Sequence, residues 1–150
     1  MKPSVLWILV ASSSYAEIYE VVKGEMSRVH LRHFTERREK MHDIVSDKPG
    51  HAYSRMGGGT GHLLGDEEAL RHHDEDIFAH EIVEYCVKGE HEKKFDRLII
   101  IASPHFLGQM RKVMKLKGHH LKIEQEFDKD IPEDLFEEKR VAYIKKLLNL

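Results

Sequence analysis

Two long apolar runs constrain the fold of this chain more than any other feature. Residues 4–11 read SVLWILVA and residues 96–103 read DRLIIIAS, and neither carries a charge within its apolar stretch. Continuous runs of this kind are typical of strands that are buried on both faces of a parallel sheet. A third stretch, residues 119–127, alternates apolar with polar residues and predicts another central strand. We therefore expect residues 4–11, 96–102 and 119–127 to be parallel neighbours joined by helical crossovers.

Two further segments predict strands at the N-terminal side of the sheet. Residues 16–22 and 28–34 are shorter and more alternating, so they should pair beside the first run as an antiparallel hairpin or meander. The order of elements is then β-β-β, a long loop, and α-β-α-β-α. This order predicts an α/β fold with a central mixed sheet of about five strands, antiparallel first and parallel afterwards.

Three helices follow from spacing and capping signals. Asp66 to Glu92 has apolar residues at helical spacing and predicts one long helix. Ser103 as N-cap and Pro104 as first residue predict a second helix, which Gly118 should end. Pro132 should open the third.

Composition restricts the class of protein. With 150 residues, 41% of them apolar and 33% charged, the chain fits one globular domain over residues 1–150. The single cysteine, Cys86, excludes an intramolecular disulfide and predicts a buried structural thiol in a reducing compartment. The N-terminal run is short for a signal peptide and predicts a strand instead, and no run is long enough to span a bilayer. The expected location is cytoplasmic.

A glycine-rich loop is the strongest functional signal. Residues 35–65 predict one long irregular segment, which is longer than most structureless connections. The run from Gly57 to Gly61 lacks the Gly-Lys-Ser/Thr of a phosphate-binding loop, and no buried strand precedes it as a dinucleotide fingerprint requires. Two interpretations stay open: a backbone that approaches a ligand closely, or a disordered tip.

Several polar residues are candidates for chemistry. Ligands collect at the carboxyl ends of parallel strands, which places Ser103 and Asp128 at the expected edge, although both also suit ordinary turns. His73, Asp76 and His80 share one predicted helix face, where with His62 they could hold zinc or another divalent metal. The alternative is a solvated surface. No other cofactor is expected.

The order of motifs resembles the bacterial host attachment family, from about Trp7 to Asp130. The segments that carry the resemblance are IVSDKPGHAYS, GGGTGH, HDEDIFAHEI, FDRLIIIASPHFLGQMRKVM and FDKD. It implies a fold similar to the middle domain of archaeal and eukaryotic class-1 peptide-chain release factors, whose Gly-Gly-Gln loop enters the ribosome. The Gly57 to Gly61 run has the corresponding place, but Thr60 stands near the position of the glutamine. Enzymatic hydrolysis is therefore not the first expectation.

The resemblance and the basic flanks of the loop predict a binding module for structured RNA or the ribosome. No DNA specificity is expected. One alternative is a hydrolase of the esterase, peptidyl-tRNA or metal-assisted kind that uses His62 and His73, and another is an interaction protein in host-cell attachment. We further expect His62 and His73 to approach each other near Ser103 and Asp128, either around a ligand or merely to hold the loop. The predicted ligand-binding residues are Asp47, Lys48, Gly57, Gly58, Gly59, His62, His73, Ser103 and Asp128.

Overall fold

The computed structural model describes residues 3–33, 60–132 and 134–150, and for residues 60–72 it describes the backbone alone. Within these ranges the predicted order β-β-β, then α-β-α-β-α, is confirmed. The elements are β1 (Val5–Ala11), β2 (Tyr15–Val22), β3 (Glu25–His33), α1 (Thr60–His91), β4 (Arg97–Ala102), α2 (Pro104–Lys117), β5 (Gln125–Phe127) and α3 (Glu137–Leu148). Helix α1 begins six residues before the predicted start at Asp66, and the predicted loop lies outside the described residues as far as residue 59.

One mixed sheet holds all five strands in the order β3-β2-β1-β4-β5. β1 pairs with β2 and β2 with β3 in antiparallel fashion, whereas β1, β4 and β5 are parallel neighbours. The predicted fold class and the predicted set of parallel neighbours are therefore confirmed. No helix that the structure describes is long and apolar enough to cross a bilayer.

Helices cover both faces of this sheet. Because successive side chains of a strand point to opposite faces, β1 must be apolar at every position. Trp7 and Leu9 pack with α1 and α2 on one face, and Ile8 and Val10 pack with α3 on the other. The continuous apolar run of β1 is thus explained by a covered sheet.

The ends of α2 follow the sequence signals. Ser103 precedes the helix, Pro104 begins it, and Gly118 ends it in the left-handed region at a φ of 67°. The Gly118 N–H donates to the Lys115 carbonyl at 3.3 Å. This bond satisfies one of the carbonyls that the last turn of a helix leaves without an ordinary helical partner. The predicted start and end of this helix are confirmed.

Besides the start of α1, two predicted boundaries are wrong. β5 is shorter than residues 119–127, because the Lys122 N–H donates to the Glu90 carboxylate of α1 at 3.0 Å and not to β4. Helix α3 begins at Glu137 and not at Pro132, because Phe136 is still extended, with a ψ of 148°. A tertiary contact therefore shortens β5, and the extended backbone at Phe136 sets the start of α3.

A buried ion pair fixes α3 to the sheet. Glu17 of β2 is 1% exposed and Arg140 of α3 is 4% exposed. Arg140 Nε donates to Glu17 Oε1 at 2.8 Å, and Arg140 Nη2 also contacts that oxygen. The Tyr19 hydroxyl donates to Glu17 Oε1 at 3.0 Å, and the remaining Arg140 donors reach the Tyr15 hydroxyl at 2.6 Å and the Pro132 carbonyl at 2.8 Å. The pair is therefore hydrogen-bonded on both sides, as a buried charge requires.

Candidate functional site

A groove lies between α1 and the outermost strand β3, with a volume of about 820 Å³. We call it the α1–β3 groove. Its size falls within the range of roughly 300–1,000 Å³ that is usual for ligand sites. The residues that line it are His30, Arg32, Ile77, His80, Glu81, Ile82, Glu84, Tyr85, Val87, Lys88 and His91.

Each wall of the groove follows from local geometry. On α1 the lining residues Ile77, Glu81, Glu84 and Lys88 recur at spacings of three and four, so they form one stripe along the helix. On β3, alternate side chains point to the same face. His30 and Arg32 pair with Ile18 and Ala16 of β2, which face α1, and therefore they face α1 too.

A row of stacked rings runs from the groove into the core. The His30 imidazole stacks on the Tyr85 ring at a centroid distance of 4.0 Å and an angle of 15°. Tyr85 stacks in turn on Trp7 at 5.9 Å, and Trp7 lies against Phe95 at 4.8 Å. The Trp7 indole N–H donates to Glu20 at 3.2 Å. Tyr85 is thus a ring at the groove surface that the core holds from behind.

Gly89 of α1 makes room for this row. A Cβ at Gly89 would lie 2.8 Å from Cζ3 and 2.9 Å from Cη2 of Trp7. Both distances are shorter than real Cβ contacts, so any side chain here would displace the indole. Glycine at this position therefore fixes the depth at which Trp7 and Tyr85 stack.

The charges along the groove are mostly paired. Arg32 forms an ion pair with Glu81 at 3.4 Å, and Glu84 contacts the His119 Nε2 atom at 2.8 Å. Lys88 is well exposed and lies 4.0 Å from Glu92. Burial, and to a smaller extent Arg32, lowers the pKa of His30. A neutral His30 is thereby favoured when the groove is empty.

The residues predicted to bind ligand are spread over the structure. Ser103 follows β4, and its N–H donates to the Ala11 carbonyl at 3.2 Å; Asp128 follows β5 and is exposed. His73 is exposed on α1. The structure gives no hydrogen bond that joins these three described residues. The other predicted residues lie outside the described side chains: Asp47, Lys48, Gly57, Gly58, Gly59 and His62. The approach of His62 to His73 stays a prediction.

The predicted metal site is divided by the structure. Asp76 is exposed on α1, whereas His80 is half-buried and lines the α1–β3 groove. Among the residues whose side chains are described, no group of three His, Cys, Asp or Glu could hold a metal ion. Since His62 lies outside those side chains, the complete set with His62 and His73 stays a prediction.

A second polar cluster lies at the end of β4, between α1 and α2. Glu75 Oε2 contacts His105 Nε2 at 3.3 Å and accepts from Gln109 Nε2 at 3.4 Å. Asp74 is 3% exposed. Its Oδ1 atom and the Gln109 Oε1 atom are buried and have no hydrogen-bond partner among the residues that the structure describes. The sequence alone does not predict this cluster, because only the packing of α2 on α1 brings residues 74–75 and 105–109 together.

Comparison with known proteins gives a family and little more. Two solved structures of Aquifex aeolicus are similar: a member of the Ppx/GppA family, with 11% identity and a TM-score of 0.39, and a PPX-GPPA enzyme, with 12% identity and a TM-score of 0.40. They match 81% and 83% of this chain but only 35% of their own chains, so this chain spans about a third of their length. At these TM-scores the similarity supports no conclusion about function.

The predicted likeness to release-factor middle domains gains no support from these matches and stays a prediction. No curated protein matches the chain. The family model, in contrast, covers most of the chain. The chain belongs to the family described as "Protein required for attachment to host cells", whose model matches residues 7–134.

Proposed function

We propose that this family member is an RNA-binding module and that the α1–β3 groove is its binding surface. The observation that carries the proposal is the His30–Tyr85 stack, at a centroid distance of 4.0 Å, in a groove that Arg32 and Lys88 also line. Proteins that bind single-stranded nucleic acid combine aromatic rings, on which bases stack, with cationic side chains that follow the backbone. The groove offers both.

The length of the groove suits a short single strand. Its α1 wall runs from Ile77 to His91, fourteen residues along the helix. At a rise of about 1.5 Å per residue this wall is about 21 Å long. Stacked nucleotides rise about 3.4 Å each, so the wall is long enough for several of them. The loops of a structured RNA, including those of the ribosome, present single strands of this length.

The rival proposal, a hydrolase, has less support in the described residues. It depends on His62 and His73, and a catalytic base needs a partner that orients it. His73 is exposed, and no acid that the structure describes contacts it. The groove, by contrast, is lined by side chains that the structure describes. RNA binding is therefore the better supported of the two proposals.

Fluorescence anisotropy with a labelled single-stranded oligoribonucleotide tests the proposal. In the row His30–Tyr85–Trp7 a base would stack on the outer face of His30, which Tyr85 holds in place. Loss of one stacking platform typically costs about 1–3 kcal/mol per base, so Tyr85→Ala, which removes the support of His30, should weaken binding about 5- to 150-fold. Tyr85→Phe keeps the ring and should bind like the wild type. Tyr143→Ala is the matched control, since Tyr143 lies on α3 and is 41% exposed. Circular dichroism checks that each variant is folded.

Two results would count against RNA binding through the groove. One is the absence of any binding by the wild-type chain at low salt. The other is a Tyr85→Ala variant that is folded and binds as tightly as the wild type. Co-sedimentation with ribosomes, released by added salt, would place the RNA partner in that particle.

A further inference from the structure

We infer that protonation of His30, His80 and His91 controls how tightly the α1–β3 groove binds RNA. This inference rests on the proposed function and adds its regulation. Four lining residues carry fixed charges: Arg32 and Lys88 are positive, and Glu81 and Glu84 are negative. Among the described side chains that line the groove, these charges cancel. A polyanion therefore meets a groove without net charge until the three histidines, which also line it, become cationic.

The surroundings of His30 come from three elements. On β3 its neighbour at alternate spacing is Arg32, which opposes its protonation. On α1 it faces the Tyr85 ring, which would stabilise an imidazolium stacked upon it. On β2, Glu20 accepts from the Trp7 indole. The charged groups of the facing helix are Glu81, Glu84 and Lys88.

The other two histidines lie on α1. His80 has Asp76 one turn before it and Glu84 one turn after it on the same helix. His91 lies near the helix C-terminus, with Lys88 one turn before it and Glu92 and Lys94 after it. His80 therefore lies between two carboxylates of its own helix, and His91 lies among charges of both signs.

The direction of the pH effect follows from linkage. RNA phosphates in the groove favour the imidazolium forms, so the histidine pKa values are higher in the complex than in the free chain. Affinity is then greatest at low pH and is lost as pH rises through the pKa values of the complex. For each proton taken up, affinity should change about tenfold per pH unit in the range between the free and bound pKa values.

Two measurements test this directly. Anisotropy titrations from pH 5.5 to 8.5 at constant ionic strength should show affinity rising on acidification, with a steeper dependence on salt at low pH. For single strands the slope of log K against log salt changes by about 0.7 per neutralised phosphate. Calorimetry in buffers of different ionisation enthalpy should show net proton uptake on binding. The probe in both is the labelled oligoribonucleotide.

Histidine variants test whether the pH dependence of binding comes from the α1–β3 groove. The triple variant His30→Gln/His80→Gln/His91→Gln should lose the dependence on pH, and each single variant should lower the number of protons taken up. His105→Gln/His120→Gln is the matched control, because neither residue lines the groove, and it should keep the wild-type profile. If the triple variant fails to fold, the three single variants still test whether these histidines take up protons on binding.

The outcomes separate the two proposals. RNA binding that Tyr85→Ala weakens but that does not depend on pH would overturn histidine control and leave the proposed function standing. An equal rise in affinity on acidification in the triple variant would also overturn it. No binding by the wild type at any pH would overturn the proposed function itself.

Discussion

Removal of Arg140 is the sharpest test of what holds this fold together. In Arg140→Met the Glu17 carboxylate, 1% exposed, would keep the Tyr19 hydroxyl at 3.0 Å and Arg28 at 3.6 Å. Arg28 is 34% exposed and beyond hydrogen-bond distance, so it would compensate little. Methionine fills much of the vacated volume, which leaves an unpaired buried charge as the main cost.

The expected loss of stability in Arg140→Met follows from this unpaired buried charge. Breaking a buried ion pair by removing one partner costs about 3–5 kcal/mol. For a chain of this size each kcal/mol lowers Tm by about 2–4 °C, which gives a fall of roughly 6–20 °C. Urea denaturation followed by circular dichroism measures the free energy of unfolding, and an unchanged m-value would show that the unfolded state is the same.

Two further variants make the result decisive. Lys139→Met changes the exposed neighbour on α3 and should stay within about 0.5 kcal/mol of the wild type. Glu17→Leu/Arg140→Met removes both charges and should recover most of the loss, because apolar replacements of buried pairs are often neutral or stabilising. A loss below about 1 kcal/mol in Arg140→Met would refute the reasoning, since breaking such a pair should cost several times more. So would a double variant as unstable as the single one.

Three other predictions concern the core. Gly89→Ala forces a Cβ to 2.8 Å from Trp7 and should destabilise the chain by about 1–3 kcal/mol in the urea assay, whereas Gly108→Ala, with open space around it, should not. Burial raises the pKa of Cys86 to about 12, so a thiol reagent should react only as fast as the chain unfolds; rapid reaction in the native state would contradict this. Burial also raises the pKa of Tyr15 and Tyr19 to about 12 from 10.0, so the unfolded chain ionises these phenols first. The free energy of unfolding should therefore fall as pH rises above 10, less steeply after Tyr→Phe substitution at either position.

The central fold could be predicted because its signals are local. Residues 4–11 and 96–102 are apolar without interruption, and only a strand covered on both faces suits such runs. Pro104 and Gly118 act on their own backbone, so the start and end of α2 could also be predicted, although the Ser103 side chain forms no capping hydrogen bond. The wrong boundary of β5 depends on a distant partner, the Glu90 carboxylate of α1, which no local pattern records.

The groove could not be predicted for the same reason. His30 and Tyr85 stack although 55 positions separate them, and their contact depends on the sheet order. Part of the signal was present, since Glu81, Glu84 and Lys88 already form a polar stripe at helical spacing. The sequence indicates the Glu17–Arg140 pair only weakly. In the strand YAEIYEVV, Glu17 falls on the same face as Tyr15 and Tyr19, where an unpaired charge would be costly.

An NMR titration tests the central claim, RNA binding in the α1–β3 groove, most directly. Amide and histidine ring signals of the labelled chain are followed while unlabelled single-stranded oligoribonucleotide is added. We predict that the chemical-shift changes concentrate at His30, His80, Tyr85 and their neighbours in β3 and α1. These changes should grow as pH falls. Shifts confined to the strand ends at Ser103 and Asp128, or no shifts at any pH, would contradict it.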